Sequence, residues 1–234
     1  MTDQSDDHGR RTFIKLGLAV IPAGLAAGSP RHAEAQGTSA KHAYRPKFFT
    51  DAEWNFVSAI CDRIIPADEN GPGALDAGVP EFIDRQLETP WGHGDLWYRQ
   101  APFLDAPPEL GVQLNLIPRQ VYRLGIVAMD EAVRGLFHKP FTACDTQQRD
   151  VAIATLEQGK LDFGELPSGY FFALLLQNTR EGFFSDPVHG GNRGMIGWKL
   201  VGFPGARADF WDWVDRYDGK PYPLPPVSID SQRS

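Results

Sequence analysis

Cysteine is scarce in this sequence, with only Cys61 and Cys144 in 234 residues. That excludes a disulfide-dense scaffold and a cysteine-rich metal knuckle. The six histidines, at 8, 32, 42, 93, 138 and 189, are scattered, and neither H-x-x-x-H nor C-x-x-C spacing occurs. No metal site is therefore legible from local spacing. The G-x-S-x-G elbow, the G-x-x-x-x-G-K-[ST] loop and a G-x-G-x-x-G after a strand are missing too, which removes the local signatures of serine hydrolases, P-loop enzymes and dinucleotide binders. Beyond the N-terminal run from Leu16 to Gly28, no stretch approaches the roughly 18 apolar residues of a spanning helix. Basic residues are in deficit, 23 against 30 acidic, for a net charge of −7. Without a cationic excess to release counterions from phosphates, nucleic-acid binding is excluded. Strand-like alternation is absent over any useful length.

What is present fits a globular protein of one or two domains: 42% hydrophobic and 23% charged residues. Glycine (24) and proline (19) are in excess, which predicts long ordered loops between the regular elements.

Residues 1–35 read as an address, not as fold. Arg10-Arg11, Thr12, Phe13, Ile14 and Lys15 precede the uncharged run Leu16 to Gly28, and Ala33-Glu34-Ala35 forms an A-x-A site cut before Gln36. The stretch Gly9 to Lys15 resembles the twin-arginine export signal, read by a translocon that moves folded cargo. It departs in having Gly9 where Ser or Thr is usual and Ile14 where Leu is usual. An uncleaved membrane anchor is the alternative, but 13 residues containing Pro22 and three glycines are too short to span. Cleavage removes four acidic and four basic residues, so the mature chain of about 199 residues is still at −7. An oxidising destination leaves three readings of the cysteines: a Cys61–Cys144 bridge, a buried Cys61 thiol on an apolar helix face, or Cys144 paired with another chain.

Residues 36–49 show no period and read as an extended lead-in. Thr50 with Glu53 makes a capping box, and Trp54, Val57, Ile60, Cys61, Ile64 and Ile65 recur at helical spacing up to Pro66. A second helix opens with Pro80 and carries Val79, Phe82, Ile83 and Leu87. A long one runs from Pro118 to Pro140 on a stripe of Val121, Leu124, Val127, Ala128, Val133 and Leu136. A fourth follows the Asp145/Gln148 box from Thr146 to Glu157. The fifth, Ser168 to Phe184, is apolar on all sides in its first half and is expected to be the central buried helix. A short helical segment holding Phe210, Trp211, Trp213 and Val214 comes next. The prediction is a mainly α single domain of five or six helices over residues 50–217 with Gly/Pro-rich ordered loops, followed by a Pro-rich tail at 218–234 favouring extended polyproline conformation.

Two acidic groupings invite a metal reading. Asp209, Asp212, Asp215 and Asp218 recur every third residue, but on a helix such steps spiral away from a common point. Asp68, Glu69, Asn70 and Asp76 share a calcium loop's composition without its spacing. The turn at Gly190-Gly191-Asn192, with Arg193 and Lys199 nearby, has three readings: a packed loop whose glycines are sterically required, a protein-partner surface, or an anion site.

The run Gly182-Phe183-Phe184-Ser185-Asp186-Pro187, then Gly190-Gly191-Asn192-Arg193, Gly197-Trp198 and Gly202-Phe203-Pro204-Gly205-Ala206, resembles the gluconate 2-dehydrogenase subunit 3 family, as does Phe49 through Ile65-Pro66-Ala67-Asp68 to Gly78-Val79-Pro80 and Ile83-Asp84. His189 departs, standing where many members have an aromatic residue. The resemblance implies a non-catalytic small (gamma) subunit with no cofactor of its own. Its partner would be an FAD-dependent GMC-type large subunit, often with an iron–sulfur cluster, that oxidises gluconate, fructose, glucose, sorbitol or lactose. A multihaem cytochrome c subunit would take the electrons. The small subunit would act as chaperone, and its signal (Arg10, Arg11, Phe13; cleavage at Ala33 and Ala35) would carry the pair through the twin-arginine translocon to the periplasm. Asp186, Pro187, Gly190, Gly191, Asn192, Arg193, Gly197, Trp198, Phe203 and Pro204 are the candidate partner interface. The competing reading is an autonomous periplasmic carbohydrate-binding protein or enzyme, motivated by Trp91, Trp97 and Trp198 in expected loops.

Overall fold

The computed structural model describes residues 44–96, 100–103, 114–211, 213–216 and 219–230. Arg10, Arg11, Phe13, Ala33, Ala35, Trp97, Asp212 and Asp218 lie outside the described residues. Within them the domain is mainly α, as predicted, with six helices: α1 (Asp51–Ile64), α2 (Val79–Leu87), α3 (Pro118–Phe137), α4 (Thr146–Glu157), α5 (Ser168–Phe184) and α6 (Ile196–Val201).

Local chemistry sets the helix ends. Both capping boxes form: the Thr50 hydroxyl accepts from the Glu53 N–H while Glu53 accepts from Thr50, and Asp145 and Gln148 exchange the same pair. Each satisfies amide donors that a helix start leaves orphaned, a contribution of about 1 kcal/mol. α3 starts on Pro118 and stops at His138, which takes a left-handed conformation (φ 57°).

α5 is the hub, packing against α1, α2, α3, α4 and α6. Phe171, Leu174, Leu175, Asn178, Thr179 and Phe183 are buried. It is not enclosed all round, however: Ala173, Gln177 and Arg180 are exposed, so its outer face meets solvent. The α3 stripe is also placed differently from expectation. Val121 and Val133 are buried with Tyr122, Gly125, Ile126 and Met129, whereas Leu124, Val127 and Leu136 are exposed. The reason is the crossing with α5. Gly125 faces the Phe171 ring so closely that an added Cβ would lie 2.3 Å from it, which turns the Tyr122/Gly125/Met129 face inward. There the Tyr122 hydroxyl donates to the buried Asn178 (2.9 Å), closing a buried polar pair.

The lead-in is not an appendage. Phe48 and Phe49 are core residues, and residues 44–49 are fixed by Asp84, a fully buried carboxylate on α2. It accepts from the Tyr44 hydroxyl (2.7 Å) and from the backbone N–H groups of Lys47 (2.8 Å), Phe48 (3.1 Å) and Phe49 (2.9 Å). Burial and the Asp84 hydrogen bond push the Tyr44 phenol up, so it stays a donor. Residues 44–49, read from the sequence as part of the lead-in, thus pack with the body. Residues 219–229 form no helix, in keeping with their proline content, but fold back through a parallel bridge between Gly205 and Val227.

Candidate functional site

The glycine-rich segment expected to face a partner is built onto the end of α5. A helix leaves its last carbonyls without partners, and this segment supplies the donors. The Asn192 N–H bonds the Gly182 carbonyl (2.9 Å), the Asn192 amide donates to the Ser185 carbonyl (2.8 Å), and the Trp198 indole N–H donates to the Phe184 carbonyl (2.7 Å). Asn192, fully buried at φ 45°, also accepts from the Gly197 N–H (2.8 Å). Two glycines permit this approach. A Cβ on Gly191 would sit 2.2 Å from the Gly182 oxygen, and one on Gly197 would sit 2.1 Å from the Phe183 oxygen.

The neighbouring residues tie the segment elsewhere. Arg193 bonds the Ala77 carbonyl through its N–H (3.0 Å) and pairs through its side chain with Glu81, a nearly buried acid on α2 that also pairs with Arg85. Asp186 caps the 3-10 turn Pro187–His189 by accepting from the Val188 N–H (3.0 Å), and it receives the Ser228 hydroxyl (2.7 Å) and the Ile229 N–H (2.9 Å) of the returning C-terminal segment. Partial burial raises the Asp186 carboxyl, but these donors together outweigh it and hold it below its ordinary value.

Of the ten candidate interface residues, Gly190, Gly191, Asn192, Gly197 and Trp198 are buried. Their roles are met within the chain, which agrees with the packed-loop reading of the turn. Trp198 lies on α6 and not in a loop, so it offers no open platform for a sugar, and Trp91 packs against the core. Pro187 and Pro204 are half-buried, and Arg193 and Phe203 remain exposed. Phe203 packs edge-on against Trp198 (5.2 Å between centroids).

The cysteines are not bridged. Cys61 is wholly buried, 3.6 Å from the Thr179 hydroxyl, and burial pushes its thiol up to about 12. Cys144, also buried, contacts the Pro140 carbonyl, and burial raises its thiol too. Each sulfur is turned to its own partner, so of the three readings the Cys61–Cys144 bridge is not formed, and Cys61 is the buried thiol on the apolar face of α1.

Two surface features went unread in the sequence. A groove of about 540 Å³ lies between α1 and α3, floored by Phe56, Ile126 and Val127. Of its acids, Glu53 pairs with Arg123, and Asp130 with Arg134 (2.8 Å) and the Phe141 N–H (2.8 Å). Among the described residues no three His, Cys, Asp or Glu side chains gather as a metal site, and no helix is long and apolar enough to cross a membrane. The second feature adjoins the glycine-rich segment, where Leu200, Val201, Phe203, Phe210, Trp211 and Val214 are all exposed. The sequence predicts a short helical segment holding Phe210, Trp211, Trp213 and Val214. Instead Phe210, Trp211 and Trp213 lie in no helix, Val214–Arg216 makes a 3-10 turn, and Trp211 is 85% exposed.

A small helical domain that spends its glycine-rich segment on its own architecture, and leaves apolar side chains in water beside it, has the build of a subunit that works against another chain. The family model described as gluconate 2-dehydrogenase subunit 3 matches residues 51–205, well over half of the sequence, and the chain belongs to that family. It is thereby related to the third subunit of a dehydrogenase complex. Searches of curated proteins and of solved structures returned no significant match.

Proposed function

We propose that this chain is the non-catalytic small subunit of an FAD-dependent dehydrogenase complex of the gluconate, fructose, glucose, sorbitol or lactose type. It binds the GMC-type large subunit, assists its maturation and escorts it through twin-arginine export to the periplasm. There a multihaem cytochrome c subunit receives the electrons. FAD, the iron–sulfur cluster where one is present, and haem c belong to the partner chains. The observation that carries this reading is the family match over residues 51–205 in a chain whose N-terminus bears Arg10-Arg11, Phe13 and the Ala33/Ala35 site.

The physical logic is that a translocon accepting folded cargo allows one signal to move a preassembled, cofactor-loaded pair. Replacing Arg10-Arg11→Lys-Lys is expected to leave the large subunit, with FAD bound, in the cytoplasm, as read by cell fractionation and flavin fluorescence. Full periplasmic dehydrogenase activity in cells deleted for this chain would overturn the proposal.

A further inference from the structure

We infer that the flavin-bearing large subunit docks on the apolar ledge formed by Leu200, Val201, Phe203, Phe210, Trp211 and Val214; this rests on the small-subunit reading above. The six side chains are 40–85% exposed and present on the order of 600 Å² of apolar surface, Trp211 alone giving about 200 Å². The largest such patch on a free-standing monomer is about 300–600 Å². One side of a stable protein interface needs about 800 Å², so the ledge supplies most of an interface core and stands at the upper end of what a lone chain leaves in water.

The six side chains fall within fifteen consecutive positions, 200–214. Phe203 and Phe210 are seven residues apart, at most about 25 Å of chain, whereas an 800 Å² interface is a disc about 30 Å across. Both ends are held to the body. Trp198 anchors Phe203 from below, and the Gly205–Val227 bridge and the Phe210–Tyr222 ring contact (5.4 Å) fix the remainder. The bordering charges, Lys199 and Arg216 against Asp209 and Asp215, cancel. A balanced polar rim around an apolar centre suits a protein surface. An anionic lipid surface would reward a cationic excess, which the border lacks.

The test compares affinity-tagged full-length chains purified from the native host, scored by the flavin absorbance and mass of the co-purifying partner. Trp211→Asp combined with Val214→Asp is expected to lower retained flavoprotein about tenfold or more, as loss of a central aromatic anchor does. Because both side chains already lie in water, the unfolding midpoint should not move. Val127→Asp, on the exposed face of α3, serves as the control and should retain the wild-type amount. A photo-reactive benzoylphenylalanine at position 211 should cross-link to the flavin-bearing chain. Undiminished flavoprotein on the double variant overturns the ledge while leaving the small-subunit reading intact. So does a cross-link to a second copy of this chain or to lipid. A wild-type chain that retains no flavoprotein overturns both.

Discussion

Asp84 is a single residue on which the start of the folded body depends. A carboxylate placed wholly out of water is costly unless every lone pair is used, and here four donors converge on it, three of them backbone amides of Lys47, Phe48 and Phe49. Those amides cannot pair with one another, because the segment bends and adopts neither helix nor strand. Without the carboxylate they would face a dry interior unmet. Asp84→Ala is therefore expected to destabilise the protein by about 3–5 kcal/mol, since each stranded donor costs about 1–3 kcal/mol. The readout is the urea midpoint at constant slope. A loss below about 1 kcal/mol would mean that water replaces the carboxylate and that the lead-in is not pinned. The signal was present in the sequence, as Asp84 stands on the same helical stripe as Pro80, Ile83 and Leu87, where a charge demands an explanation. What the sequence does not display is the partner, 35 to 40 positions upstream.

At the scale of elements, the glycine-rich segment behaves as a cap for α5. Gly191→Ala sets a Cβ against a backbone oxygen that cannot rotate away, so part of the cap must lift, at an expected cost of about 2–3 kcal/mol. Gly194→Ala, at φ 64° with nothing within 4 Å, should cost only the roughly 1 kcal/mol of a left-handed backbone without glycine. Thermal unfolding of the two variants side by side separates packing from backbone freedom, and equal losses would contradict the cap. This contrast also explains which elements were legible. Helices α1 and α4 could be read because a capping box is a four-residue signal. The length of α3 could be read from Pro118 and Pro140, but its buried side could not. Leu124 and Val127 are as apolar as Val121, and the choice among them was made by one glycine meeting Phe171. Of the signature residues, Gly191, Asn192, Gly197 and Trp198 close over the end of α5, a role the sequence does not display, because glycine and asparagine look alike in it whether they open toward a ligand or close over a carbonyl. The apolar ledge was missed for the converse reason: aromatic residues at 210–214 suggest burial, and nothing local says that the core is already full.

Over the whole molecule, the chain is closed by a contact spanning more than forty positions, in which Asp186 holds Ser228 and Ile229 and so brings the proline-rich end back beside α6. That closure shapes the border of the ledge, since Tyr222 on the returning segment packs against Phe210, Trp213 and Arg207. Its strength should follow the charge of a single carboxylate. Asp186 is held below its ordinary value in the folded protein, so its contribution is complete above the unfolded value near 3.9 and declines as pH falls through the lower, folded value. Hydrogen-exchange protection factors of residues 219–230 are thus expected to be constant from neutral pH to about pH 4 and to fall below it, while the peptide covering α5 stays protected. Asp186→Asn keeps one acceptor oxygen but no charge. It should show weak protection of the same peptide at every pH, the charge-assisted bonds being worth about 1.5–3 kcal/mol each. Protection of the wild-type segment that persists unchanged to acid pH would place the closure on the Gly205–Val227 bridge and the Tyr222 ring contacts instead, and would make Asp186 a cap for its own turn alone.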